Sequence, residues 1–128
     1  MNSKTQIISS KLFLGHLKRL RKKFPSIKQD VENLKAELLT NPRTGFDLGN
    51  GAYKIRLRIK SKGKGKSGGA RVISYVETEV IGFIQNNVVN LLTIYDKSEV
   101  DTISKEQIDW LIKKIKNEWN SNFVSQLF

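Results

Sequence analysis

The chain contains no cysteine, one histidine and two prolines among its 128 residues. Without cysteine it has no disulfide bond, no thiolate nucleophile and no cysteine-ligated zinc site. His16 alone excludes an imidazole pair for RNA cleavage, and its place beside apolar residues in a predicted helix favours a structural role. No apolar run approaches the roughly 18 residues of a membrane-spanning helix, and the first residues lack the apolar region of a signal peptide. These absences predict a cytoplasmic protein.

Acidic residues are also scarce. Asp and Glu number 12 against 23 Lys and Arg, which gives a formal net charge of +11. The carboxylates are dispersed, without the cluster that a two-metal nuclease needs, so we predict no metal and no cofactor. A large uncompensated positive charge predicts an anionic partner, and a nucleic-acid backbone is the commonest one.

The positive charge is concentrated in a segment without acidic residues, from residue 54 to residue 71. Basic and apolar residues alternate at its start, which is typical of a strand with one buried face. The basic positions are Lys54, Arg56, Arg58, Lys60, Lys62, Lys64 and Lys66, followed by Arg71. The side chains predicted to point into the core are Tyr53, Ile55, Leu57 and Ile59. A solvated outer face is the alternative, but such faces normally mix both signs. We therefore interpret the run as a surface that binds a polyanion.

Part of this segment, KGKGKSGG at residues 62–69, superficially resembles a phosphate-binding P-loop. It lacks the G-x-x-x-x-G-K-[ST] spacing and lies between predicted strands, so we do not predict nucleotide hydrolysis. Its glycines and lysines can still approach a phosphate backbone closely.

Two helices are predicted near the N-terminus, after a short strand over residues 5–8. Ser9 or Ser10 is placed to cap the first helix. Ser26 and Gln29 are spaced as a capping box for the second. A basic cluster ends the first helix, where it complements the helix dipole and is also a candidate RNA contact. It includes Arg19, Lys22 and Lys23.

The second half of the chain predicts a sheet followed by a helix. Asn41-Pro42 and three glycines predict turns over residues 40–51. The predicted strands cover residues 53–59, 71–77 and 88–95, with Gln85, Asn86 and Asn87 in the second connection. Ser104 and Gln107 form a capping-box pair at the start of a helix with a regular apolar stripe. The stripe consists of Ile108, Leu111, Ile112, Ile115 and Trp119.

Taken together, these elements predict one α+β domain over residues 1–128. We expect an N-terminal helical hairpin packed on a small antiparallel sheet, with a C-terminal helix. The available chemistry suits RNA, because its own 2′-hydroxyl can attack the adjacent phosphate. A protein then has to position the strand, move two protons and neutralise developing charge, which Lys and Arg can do without a metal.

Two segments carry a resemblance to a known family: GAYKIRLRIKSKGKGKSGGARVISYV from residue 51, and VVNLLTIYDKSEVDTIS from residue 88. They resemble the RelE/ParE superfamily of bacterial toxins, and more narrowly its HigB-like branch. The GKGKSGGARVI stretch carries most of the match, and the helical hairpin, the Asn-Pro turn and IYDKSE agree in order. The resemblance covers about residues 5–115 and leaves a C-terminal tail from about residue 117.

This resemblance implies the toxin of a type II toxin–antitoxin module. Members of the RelE and HigB-like branches cleave mRNA in the ribosomal A site without a metal. By position, Arg56 and Arg71 would hold the scissile phosphate, Lys54 or Lys97 would act as base or acid, and Tyr95 would stack on a base. The implied partners are mRNA on the ribosome, with ribosomal RNA, and a cognate antitoxin protein.

Two departures leave the acid and base assignments open. The best-known RelE members carry an arginine just after the position of Lys97 and a tyrosine further on, where this chain has Ser98 and Ser104. Further RNA contacts are expected from Arg58, Lys60, Lys62, Lys64, Lys66, Arg19, Lys22 and Lys23. Two other functions stay open: inhibition of DNA gyrase, as in the ParE branch, and plain nucleic-acid binding without catalysis.

Overall fold

A computed structural model describes residues 2–63, 68–100 and 102–127, with side chains for residues 3–63, 68–100 and 102–118. The fold is α+β, with a five-stranded sheet in the order β1-β5-β4-β3-β2. The strands are β1 (Asn2–Ser9), β2 (Phe46–Gly49), β3 (Ala52–Leu57), β4 (Ala70–Ile81) and β5 (Ile84–Asp96). The helices are α1 (Lys11–Lys23), α2 (Ile27–Thr40) and α3 (Lys105–Leu127).

The sheet is mixed, whereas the sequence predicted an antiparallel one. Strands β2 to β5 pair antiparallel, as expected for a meander. β1 comes before the helical hairpin and pairs parallel with β5. A parallel partner is possible because α1 and α2 lie between β1 and the other strands in the chain, which gives the long crossover that parallel pairing requires.

Two predicted connections are strands instead. β2 lies inside the segment predicted as turns, where it pairs with β3 through Phe46 opposite Lys54. Gln85, Asn86 and Asn87 belong to β5, and the hairpin turn falls at Gly82 and Phe83. Asn87 is buried, and its side chain bonds to Thr78, Gln85 and Ser3, which explains how an amide-rich segment fits inside a sheet.

The helix caps follow the sequence in two of three cases. Ser10 caps α1 by accepting a bond from the Phe13 amide at 3.0 Å. Ser104 and Gln107 form the predicted reciprocal pair before α3. The predicted capping box of Ser26 and Gln29 is wrong, because the Ser26 side chain caps no helix amide.

Ser26 instead joins the start of α2 to the segment that follows β3. Its hydroxyl donates to Asp30 at 2.8 Å and accepts from the Ser61 amide at 2.8 Å. Asp30 also accepts from the Lys60 amide at 3.1 Å. Tertiary partners therefore replaced the local bond that the spacing predicted.

The apolar core lies on both faces of the sheet. One face packs against α1 and α2, and it includes the four predicted side chains Tyr53, Ile55, Leu57 and Ile59. The opposite face packs against α3 through Ile73, Leu92 and Tyr95, together with Ile108, Leu111 and Ile115 from the predicted stripe. The side chain of Trp119, also assigned to this stripe, lies outside the described residues.

α1 follows β1 in the chain and packs beside the second half of β5. The Ser10 amide donates to the Leu91 carbonyl at 3.1 Å, and its hydroxyl donates to the Leu92 carbonyl at 3.0 Å. This placement brings the basic end of α1 next to the end of β5. The segment from about residue 117, unmatched by the resemblance, continues α3.

Candidate functional site: a cationic face on three strands

Three of the sequence-selected residues form a row across the sheet. Arg56 on β3 lies opposite Arg71 on β4, and Arg71 lies opposite Tyr95 on β5. Residues directly opposite each other in antiparallel strands project from the same face. Lys54 is two residues before Arg56 and so shares that face. The structure therefore brings together four of the five residues that the resemblance selected, and we call this group the cationic row.

Exposure differs sharply within the cationic row. Arg56 is exposed and Lys54 is half-buried. Arg71 is only 6% exposed, with its Nη1 donating to the Ala70 carbonyl at 3.1 Å. Tyr95 is 7% exposed and packs in the cluster under α3. The part of the cationic row that a ligand can reach is therefore the pair on β3, Lys54 and Arg56.

Burial also controls the chemistry of Tyr95. Removal of the phenol from water raises its pKa, because the charged phenolate is poorly solvated there, and the positive charge of Arg71 opposes this shift. The hydroxyl therefore stays protonated at neutral pH.

Lys97, the fifth residue, lies two positions beyond Tyr95. Its amide donates to the Gly69 carbonyl at 3.1 Å, so the end of β5 is tied to the residue before β4. Gly69 packs so closely on β3 that a Cβ atom there would overlap the Leu57 carbonyl oxygen. These two contacts keep the start of β4, which carries Arg71, close to Lys97 and to the end of β3.

The alternating basic run does not form one continuous strip. β3 ends at Leu57, and Lys60–Lys62 form a short 3₁₀ helix. Arg58 and Lys60 are exposed, while the side chain of Lys62 turns back into the protein. The alternation of basic and apolar residues therefore predicted correctly which side chains are buried as far as Ile59. The basic residues, however, do not form a single surface. Lys64 and Lys66 lie outside the described residues.

Lys62 is held by Asp96, a buried carboxylate that the sequence did not single out. Lys62 Nζ contacts Asp96 Oδ1 at 2.9 Å, and the Ser98 amide and hydroxyl donate to the same oxygen at 3.0 and 2.9 Å. Burial alone would raise the pKa of Asp96, but the bonds from Lys62 and Ser98 outweigh it and lower the pKa to about 2. Asp96 is the one acidic residue in β5, and its place at the end of that strand was the signal that could have identified it.

The basic cluster of α1 is partly neutralised. Lys23 pairs with Glu99 at 3.0 Å and with Asp96 at 3.5 Å, and Arg19 approaches Glu99 at 3.7 Å. The hydrogen bond to Glu99 is the main cause that raises the pKa of Lys23. Lys22 is exposed. Two of the three α1 residues predicted to contact RNA therefore have acidic neighbours that compete with a phosphate.

His16 is half-buried and contacts the sheet. Its Nδ1 lies 2.8 Å from the Thr93 hydroxyl. Burial, with a smaller contribution from the positive charge of Arg19, lowers the pKa of the imidazole. This contact fits the structural role that the sequence predicted.

Phe46 is an exposed aromatic residue on the same face of the sheet as the cationic row. It was missed because the sequence predicted a turn at this position. Phe46 opens β2 opposite Lys54 and is 69% exposed. A cavity of about 540 Å³ lies beside it, lined by Thr44, Gly45, Phe46, Lys54, Ile55 and Arg56. Arg56 also lines a second cavity of about 340 Å³, between the end of β3 and α2.

The two accessible cations of the cationic row, Lys54 and Arg56, have no acidic partner among the described residues. Within the same ranges, no three His, Asp or Glu side chains cluster so that they could hold a metal ion.

No described helix has both the length and the apolar character to cross a membrane. No protein-family model matches the chain.

Proposed function

We propose that this chain is the toxin of a type II toxin–antitoxin module and cleaves ribosome-bound mRNA in the cytoplasm, without a metal ion. The observation that carries the proposal is the cationic row. Four residues selected by the resemblance come from three strands, and they converge on one face although 41 positions separate Lys54 from Tyr95 in the chain. Residues chosen without regard to the fold would have no reason to lie on one face of three adjacent strands.

The proposed chemistry is attack by a 2′-oxygen on the adjacent phosphorus, with cleavage of the bond to the 5′-oxygen of the next nucleotide. One group accepts the 2′-hydroxyl proton and another donates a proton to the leaving oxygen. Arg56 is accessible and carries no ion pair within the described residues, so it is placed to bind a phosphate oxygen. Arg71 lies directly opposite it on β4 and adds positive charge where negative charge develops.

Lys54 and Lys97 are the proposed proton-transfer groups, in an order that is left open. Lys54 adjoins Arg56 on β3, and Lys97 follows the end of β5 beside Gly69. Since Tyr95 is packed under α3, we give it the role of supporting Arg71 rather than that of a stacking surface.

The proposed partners follow from charge and exposure. A net charge of +11 favours binding to both ribosomal RNA and an acidic antitoxin. Trp110 is exposed on α3, which supports an antitoxin contact near the C-terminal helix.

Primer extension on mRNA from cells that express the protein tests the proposal. We expect cuts inside translated frames with the wild type and none with Arg71→Ala. Because Arg71 is buried, Arg56→Ala serves as a second variant whose exposed position preserves the fold. Growth arrest with intact messages would instead indicate a gyrase inhibitor. Cuts that persist in both variants would overturn the assignment of the cationic row.

A further inference from the structure

The face of the sheet that carries the cationic row has an aromatic side chain that a ligand can reach. This side chain is not that of Tyr95. Tyr95 is 7% exposed and is packed against α3. Phe46, at the outer edge of the same face, is 69% exposed. A base that stacks near the β3 end of the cationic row would therefore meet Phe46 first.

Phe46 lies beside the two accessible cations. It is directly opposite Lys54, and in an antiparallel pair such side chains are neighbours, about 4.5–5.5 Å apart at Cβ. Arg56 follows on the same face, and all three residues line the cavity of about 540 Å³. Ligand pockets commonly occupy about 300–1,000 Å³. This site thus combines an exposed aromatic ring with two positive charges on the neighbouring strand.

The position of Phe46 is fixed by the residue before it. Gly45 has a φ of +111°, and a Cβ atom there would lie 2.6 Å from the Lys54 carbonyl oxygen and 2.9 Å from Ile55 Cγ1. Only glycine permits this close approach of β2 to β3. The ring is consequently presented from a constrained backbone, which lowers the entropic cost of stacking.

We propose that Phe46 forms a nucleobase subsite: it stacks on one base of a single-stranded RNA whose flanking phosphates contact Lys54 and Arg56. This inference rests on the proposed function and names how the same site holds its substrate. Stacking on an aromatic side chain does not depend on a particular base, because every base has a π-face. The subsite therefore aligns the strand without specifying its sequence.

Binding of a short RNA with 2′-O-methyl groups tests the proposal, because the blocked 2′-oxygen prevents cleavage. Fluorescence anisotropy at fixed salt should show about five- to tenfold weaker binding by Phe46→Ala, at the lower end of the effect of removing a stacking aromatic. Phe46→Trp should bind at least as tightly as the wild type, and its added fluorescence should be quenched by the RNA. The matched control is Phe83→Ala, which removes an 86% exposed phenylalanine at the β4–β5 turn and should leave binding unchanged.

Two further readouts separate stacking from charge. Phe46→Ala should keep the wild-type slope of log affinity against log salt, whereas Arg56→Gln should reduce that slope by about 0.7. An RNA with abasic positions should bind wild type and Phe46→Ala equally. Unchanged binding by Phe46→Ala, an equal loss in Phe83→Ala, or no RNA binding by the wild type would overturn the subsite. None of these results decides cleavage, which primer extension with the Arg71 and Arg56 variants tests separately.

Discussion

Arg56 and Arg71 lie directly opposite each other on β3 and β4, so two guanidinium groups face the same side of the sheet. Like charges in this position destabilise a strand pair, by a few tenths to about 1 kcal/mol. Removal of one of the two charges should therefore stabilise the fold.

Arg56→Gln should raise the free energy of unfolding by about 0.5 kcal/mol, because it relieves repulsion from Arg71. The same change should abolish or strongly reduce mRNA cleavage. Urea denaturation and primer extension measure the two effects. The control is Arg58→Gln, which removes an exposed cation beyond the end of β3 and should leave stability unchanged. A destabilised Arg56→Gln protein would contradict the proposed repulsion.

Asp96→Asn should destabilise the fold by about 3 kcal/mol, because it removes the buried partner of Lys62. Glu99→Gln removes an acidic partner of Lys23 that is itself partly exposed, and should cost less than about 1 kcal/mol. Both are measured by chemical denaturation at pH 7. Equal losses in the two variants would show that burial of Asp96 contributes nothing.

The pH dependence of stability offers a separate test of Asp96. Its pKa is lowered to about 2 in the folded protein, so its contribution is fully present above the ordinary carboxyl pKa of about 3.9 and is lost as the pH falls toward 2. Wild type should therefore lose stability between about pH 4 and pH 2 more steeply than Asp96→Asn. Parallel profiles over this range would contradict the assignment.

His16 should give the protein a second pH dependence. Burial lowers its pKa, so the folded state favours the neutral imidazole and stability falls as the pH drops below about 6.5, the unperturbed value. His16→Gln can still bond to Thr93 but does not titrate, so it should lack this fall. Thermal denaturation between pH 7.5 and pH 5 compares the two proteins, and an identical decline in His16→Gln would exclude His16 as its source.

Two glycine substitutions should have opposite effects. Gly69→Ala should destabilise the protein and reduce cleavage, because the added methyl group overlaps the Leu57 carbonyl oxygen and displaces the start of β4 before Arg71. Gly15→Ala places a methyl group in open space on α1 and should stabilise by up to about 1 kcal/mol. Thermal denaturation of both variants provides the measurement. A neutral Gly69→Ala would show that the two strands can separate without cost.

The α+β class, the three helices, the β3–β5 meander and the buried faces could be predicted from the amino-acid sequence. These features depend on local periodicity and capping: the alternation from Tyr53 to Ile59 and the pairing of Ser104 with Gln107 need no distant partner. The resemblance also selected Lys54, Arg56, Arg71 and Tyr95, and their position on one face follows from the order and register of β3, β4 and β5.

Four features became apparent only in the folded chain: the parallel pairing of β1, the strand at Phe46, the burial of Tyr95 and the ion pair of Lys62 with Asp96. Each depends on a contact between residues far apart in the chain or on which helix covers a given face. Local patterns carry no information about those contacts. The charge pattern could indicate an anionic partner, but packing alone determined which cations were left for that partner to reach.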